Sequence, residues 1–430
     1  MTTRIDHAIE VRQDRRLIRP NAHSKRFLLV RVNAPRATSE KGRSPVNLAI
    51  VLDRSGSMSG AKLQVAKAAV EEAIGRLQPD DRFSVVVYDD VVDVVCASTR
   101  ASTEARRGAI ERLRDVEARG STNLAEGWLR GCEQVAAHLA TEGVNRCLLL
   151  TDGLANIGIT APDDLARHAR ELRARGVSTT TFGVGNDFDE RLLQELADAG
   201  GGHFYYIADA PQIRDAITSE VGETLETVAR DVSLEITARD DVRIDSISPY
   251  RLTTSGNRTS VALGDLVSEQ VVDIVLRLSF PYGDVGRETG AMVALTDSDG
   301  AFDREAGSRP DPVRVSWTYA DDRANDAQPR DRDVDRAVAR LFAARARQEA
   351  IRLNRDGDYD GARRILEATR ARIAGYAGDD AEIGALAGTL AEERVVYAAA
   401  MPEMARKQAH FASANMLRSR DMQGRSVKRS

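Results

Sequence analysis

The chain has 430 residues, too many for one hydrophobic core, so it should divide into two or three domains. It is 42% hydrophobic and 30% charged, ordinary for a globular protein, and its net charge of −5 argues against a dominant nucleic-acid-binding surface. No run approaches the ~20 apolar residues that cross a bilayer, and "MTTRIDHAIEVRQDRRL" lacks the apolar core of a secretory signal. Cys96, Cys132 and Cys147, the three cysteines, lie in apolar stretches as buried free thiols would. These features predict a cytoplasmic protein without a membrane span.

The first elements are strands. "DHAIEVRQ" (6–13) and "RFLLVRVNA" (26–34) alternate apolar and polar residues. A lone hairpin is only marginally stable, so residues 1–44 are expected to join a sheet formed later in the chain. From 45 to 222 the pattern changes. Apolar, β-branched runs such as "VNLAIVLD" (46–53), "RFSVVVYDD" (82–90), "RCLLLTD" (146–152), "VSTTTFGVG" (177–185) and "HFYYIAD" (203–209) alternate with amphipathic helices. The helices include "AKLQVAKAAVEEAIGRL" (61–77) and "LAEGWLRGCEQVAAHLA" (124–140). Strands buried on both faces read this way, so a doubly wound, mostly parallel α/β sheet is expected. The run at 92–98 follows its predecessor too closely for a crossover and predicts an antiparallel hairpin at one edge.

Residues 223–320 return to period-2 alternation with turn clusters such as "TTSGN" and "DSDG", the signature of an antiparallel β-sandwich. The α/β domain would then be inserted into a discontinuous β domain. Residues 329–416 read as helical. Within them "DGDYDGARRILE" (356–367) formally satisfies a calcium-loop pattern through Asp356, Asp358, Asp360, Gly361 and Glu367. Arg363 and Arg364, however, stand where an apolar residue and an oxygen ligand are required, so a helical hairpin docked on the β domain is the better reading. The basic tail, 417–430, reads as a solvated end.

Chemistry concentrates in "VLDRSGSMSG" (51–60), at the carboxyl end of the first α/β strand, where ligands of open parallel sheets bind. Asp53, Ser55 and Ser57 could form a turn and a helix cap. In an extended loop the same spacing aims an aspartate and two hydroxyls at one point. Three oxygens do not complete a hard-cation shell. Two further stretches supply more: "RGSTNLAEG" (119–127) places Thr122 before a helix, and "LLLTDGLANIG" (148–158) places Asp152 at a strand end.

Asp53, Ser55, Ser57, Thr122 and Asp152 together resemble the metal-ion-dependent adhesion site of bacterial von Willebrand factor A domains, a likeness extending over about 45–222 and including "FGVGNDFDERLLQELADAGGGHFYYI" (182–207). The resemblance implies a Rossmann-like fold and a bound Mg²⁺, with Mn²⁺ or Ca²⁺ as alternatives. It implies direct coordination by Ser55, Ser57 and, in the ligand-competent state, Thr122, and action of Asp53 and Asp152 largely through water. It further implies a protein partner offering Asp or Glu, such as a MoxR-type AAA ATPase or a signalling enzyme.

Two carboxylates neutralise a dication and hydroxyls quench little of its Lewis acidity, which favours capture of a partner carboxylate over catalysis. An Mg²⁺-dependent phosphoryl hydrolase is the enzymatic alternative, but Ser55 stands where such enzymes need a second aspartate. A scaffold with a structural metal is the third class. His138, His168 and His203 read as structural or solvent-facing.

Overall fold

In the computed structural model, residues 8–37, 43–303 and 310–429 are described. The chain opens with β1 (Ile9–Gln13), β2 (Leu17–Ile18) and β3 (Ser24–Asn33). The α/β region follows as β4 (Val46–Asp53), α1 (Ala61–Gly75), β5 (Arg82–Tyr88), β6 (Val92–Arg100), α2 (Thr103–Arg114) and α3 (Leu124–Ala136). It continues through β7 (Val144–Thr151), α4 (Pro162–Ala174), β8 (Ser178–Val184), α5 (Glu190–Gly200), β9 (Gly201–Ile207) and α6 (Ala210–Leu225). Next come β10 (Thr227–Ala238), β11 (Arg243–Ser246), β12 (Arg251–Ser255), β13 (Arg258–Val267), β14 (Val271–Phe280), β15 (Glu288–Thr296) and β16 (Val313–Tyr319). The last helices are α7 (Asp322–Ala327), α8 (Arg332–Arg355), α9 (Tyr359–Ala377), α10 (Ala381–Val396) and α11 (Glu403–Leu417).

The structure divides into two units, Met1–Ala37 with Val228–Pro402 and Ala412–Ser430, and Thr38–Thr227 with Glu403–Phe411. In the second unit a six-stranded sheet runs β6-β5-β4-β7-β8-β9. Its pairs are parallel except β5 with β6, the edge hairpin expected from their short connection. Every residue of β4 and β7 is buried, which is why their sequences show no alternation. Helix α3 lies unusually close to this sheet. A Cβ on Gly131 would fall 2.2 Å from Val51 Cγ2, and one on Gly127 2.4 Å from the Tyr88 ring, so only glycine permits the approach. On β9, the edge strand opposite β6, Phe204 meets Phe411 edge-on at 6.0 Å, and Lys407 pairs with Glu190 at 2.9 Å with both side chains buried.

In the first unit β1-β3-β14-β11 form one antiparallel sheet and β12-β13-β10-β15-β16-β2 a second, in which β12–β13, β10–β15 and β15–β16 pair antiparallel and β16–β2 parallel. The strands before the α/β region pair with a strand over two hundred residues later, for example Val30 with Ile274. Both sheets contribute to one apolar cluster, including Val30, Ile274, Leu234, Val293 and Trp317. Helix α8 packs Val334, Val338 and Leu341 against Leu29 and Val275.

The calcium-loop pattern at 356–367 is a three-residue hairpin turn, 356–358, followed by the first turns of α9. Asp356 caps the end of α8, Asp358 accepts from Gly361 N–H to start α9, and Glu367 is paired with Arg370 and Arg394. The expectation of a solvated tail is corrected. Val271 N–H donates to Val427 O at 2.8 Å and Arg429 N–H to Glu269 O at 3.0 Å, so the end of the chain runs back along the β sheet. Among the described residues no helix is long and apolar enough to cross a membrane.

Candidate metal centre

The five residues singled out from sequence meet at the carboxyl end of the parallel sheet. Asp53 ends β4 and Asp152 directly follows β7; both are 0% exposed. Asp53 Oδ1 accepts from Ser55 N–H at 2.7 Å and Oδ2 from Thr151 Oγ1 at 2.6 Å. Ser55 Oγ lies 3.1 Å from Ser57 Oγ, and Ser57 Oγ donates to Asp152 Oδ1 at 2.5 Å. A Cβ on Gly153 would stand 3.2 Å from Thr122 Oγ1 and 3.9 Å from Ser57 Oγ, so those two hydroxyls flank the same glycine.

The simpler roles for these side chains are largely filled by others. Gly60, not Ser57 or Ser59, is the N-cap of α1. Asn123, not Thr122, caps α3, accepting from Glu126 N–H at 3.4 Å. The Thr122 hydroxyl engages no partner among the described residues, although Thr122 is buried. Only the turn survives, in the bond from Ser55 N–H to Asp53.

Backbone bonds hold the loops after β4 and β5 against the loop before α3. Arg119 N–H donates to Arg54 O at 2.8 Å, Gly56 N–H to Gly120 O at 3.2 Å, and Asn123 N–H to Asp89 O at 2.8 Å. Buried Asp89 receives Arg54 Nε at 2.9 Å and Arg119 Nε at 2.7 Å. Burial alone would raise the Asp89 carboxyl, but Arg119, the Val91 N–H and Arg54 outweigh it and hold the group below its ordinary value. Asp53 has no such cation. Burial pushes its carboxyl up to about 6 despite the bonds from Thr151 and Ser55, and the charge of Asp152 adds to the rise. The donor set of two buried carboxylates and three hydroxyls is hard-oxygen chemistry and fits a divalent cation.

Residues 47–219 match the von Willebrand factor type A domain. This chain contains such an A domain. An uncharacterized protein of Escherichia coli K12, YfbK, is 32% identical over 192 residues, covering 44% of this chain and only 33% of that protein's length. An uncharacterized protein of Synechocystis, sll0103, is 27% identical over 356 residues, 80% of this chain and 82% of its own. The solved von Willebrand factor type A protein from Catenulispora acidiphila superposes with a TM-score of 0.71 over 94% of this chain and 89% of its own. At 20% identity that likeness concerns the fold alone.

Four residues around the A-domain cluster were not read from sequence. Thr151 had one visible signal, a polar residue beside Asp152 in "LLLTDG". Arg54 and Asp89 gave no local signal, because Asp89 is paired with Arg54 and Arg119 from other loops. Lys62, whose ammonium donates to Asp152 Oδ2, looked like a helix-face lysine. A second grouping in the A domain, His203, Glu220 and Glu223, brings its donor atoms within 4.8 Å of one another. Glu220 there already accepts from Arg146 at 2.9 Å, Thr180 at 2.7 Å and Tyr205 at 2.8 Å, and is balanced by the arginine. His203 therefore has a structural setting.

Proposed function

We infer that Asp53, Ser55, Ser57, Thr122 and Asp152 bind a divalent cation, Mg²⁺ first and Mn²⁺ or Ca²⁺ by the same oxygen chemistry. The metal would bridge the A domain to an Asp or Glu carboxylate of a protein partner. The observation that carries this reading is the meeting of two fully buried carboxylates with three hydroxyls, two from the loop after β4 and one from the loop before α3. Burying an aspartate without a cation is costly, and Asp53 has only hydrogen bonds to offset it. A bound dication supplies the missing charge and an attractive position for an anionic oxygen. The chain's own groups then divide the work. Asp53 and Asp152 supply charge, Ser55 and Ser57 supply oxygens from one rigid loop, and Thr122 supplies an unengaged hydroxyl.

The reading is of binding, not catalysis, because Ser55 occupies the position where phosphoryl transfer needs an acid–base aspartate. It places the protein in a bacterial cytoplasm, with an A domain of 45–222 inserted into a β-sandwich built from 1–44 and 223–320. A MoxR-type AAA ATPase or a signalling enzyme fits the partner class.

Calorimetric titration tests the metal. Asp53→Ala should abolish Mg²⁺ binding while the circular dichroism of the sheet is retained; wild-type affinity in the folded variant would remove these residues from the site. Capture of a partner from the native host should be lost on adding chelator. Capture indifferent to chelator would leave a scaffold whose metal is structural.

A further inference from the structure

Lys62 is the second residue of α1, where a cation faces the positive end of the helix dipole and is disfavoured. Its side chain nevertheless folds back over the site. Its Nζ donates to Asp152 Oδ2 and lies 3.4 Å from Ser57 O, and a Cβ on Gly185 would be 3.7 Å away. Asp152 is its carboxylate partner, and no other cation among the described residues reaches that aspartate. Arg54, the nearest other cation in the sequence motif, is engaged by Asp89 and Asp93 instead. Lys62 is 31% exposed at its side chain while Asp152 is 0% exposed. One buried acid of the cluster thus already carries a cation, built into the chain and partly exposed to water.

We propose that Lys62 is a tethered cation that competes with the divalent metal for Asp152, so that loading the site exchanges an ammonium for a dication. The proposal rests on the metal reading above. Where no dication does so, Lys62 compensates the charge of Asp152. When a dication enters, the ammonium and the metal repel across one carboxylate, and the lysine moves outward, which costs metal affinity. Lys62 therefore lowers affinity for the metal while protecting the metal-free fold. The two effects have opposite signs, which a purely structural lysine would not produce.

The test uses the full chain and Mn²⁺, with binding followed by the paramagnetic resonance of free Mn²⁺ and unfolding followed by circular dichroism. Lys62→Met should bind Mn²⁺ at least about tenfold more tightly than wild type, because a like charge a few ångströms away is removed. It should also unfold at lower temperature without metal, and gain more from saturating Mn²⁺ than wild type does. Lys62→Arg, which keeps the charge, should stay near the wild-type affinity. A second measurement needs no variant: acetylation of the Lys62 amine in the wild-type protein, read by mass spectrometry, should accelerate when Mn²⁺ is added. Wild type binding Mn²⁺ with Lys62→Met binding equally or more weakly, or acetylation unchanged by Mn²⁺, overturns the exchange and leaves the metal site standing. Absence of Mn²⁺ binding to wild type and to both variants overturns the metal reading and the exchange together.

Discussion

Thr122 is placed differently from the other members of the cluster. Ser57 is tied to Asp152 and Ser55 to Ser57, whereas the Thr122 hydroxyl is held near them by Gly153 packing and by backbone bonds with Asn156. A neutral ligand of this kind contributes no charge, so its loss should leave part of the metal affinity intact. It should matter most when a partner carboxylate completes the shell. Thr122→Ala is therefore expected to weaken partner capture more than Mg²⁺ affinity, and replacing the partner's acidic residue by its amide should cost at least roughly 1–3 kcal/mol for the lost charged contact. Capture measured at saturating Mg²⁺ beside calorimetric titration separates the two; equal losses would place Thr122 in the metal shell alone.

Two elements carry consequences that their local sequence does not announce. Helix α3 sets the position of the Thr122 loop, and it approaches β4 only because Gly131 faces Val51. Gly131→Ala gains about 1 kcal/mol of helix propensity but drives a methyl into a β-branched core side chain. Overpacking of this kind costs about 1–3 kcal/mol, so the net effect should be destabilising, with Val51→Ala on the same background recovering part of the loss. Denaturant unfolding of the single and double variants checks this, and a stabilised single variant would contradict it. The α8–α9 hairpin makes the opposite point, since a metal motif is spent on helix ends. Glu367 is engaged by Arg370 and Arg394, and Asp358 by a backbone N–H. Glu367→Gln should leave calcium binding unchanged in a titration monitored by calorimetry. Loss of one calcium equivalent would restore the loop.

At the scale of the whole molecule, Asp53, Ser55, Ser57, Thr122 and Asp152 all lie in one of the two units. Metal at about 100 times its Kd should stabilise the folded unit that holds it by roughly 2.7 kcal/mol. Amide hydrogen exchange should then slow at 53–57, 120–123 and 151–153 and in the strands feeding those loops. The antiparallel sheets of the other unit should exchange at unchanged rates. Slowing confined to the antiparallel sheets would show that the cation binds elsewhere.

The parallel strands, their edge hairpin and the cluster Asp53, Ser55, Ser57, Thr122 and Asp152 were legible in the residues because each signal is local. Unbroken apolar runs mark strands covered on both faces, and a carboxylate with alternating hydroxyls marks converging oxygens within one loop. The calcium pattern was rejected on equally local grounds, one arginine in a ligand position and another where an apolar residue is required. Pairing was not legible. Period-2 alternation at 26–34 says that one face is buried but not that Val30 lies beside Ile274, and a run of basic residues does not reveal that Val427 meets Val271. Nor does a lysine in a helix disclose its partner. Lys62 and Asp152 are ninety residues apart in sequence, and Arg54 and Asp89 thirty-five. An ion pair depends on distance in space, so only the closing of the sheet turned those charges into parts of the site.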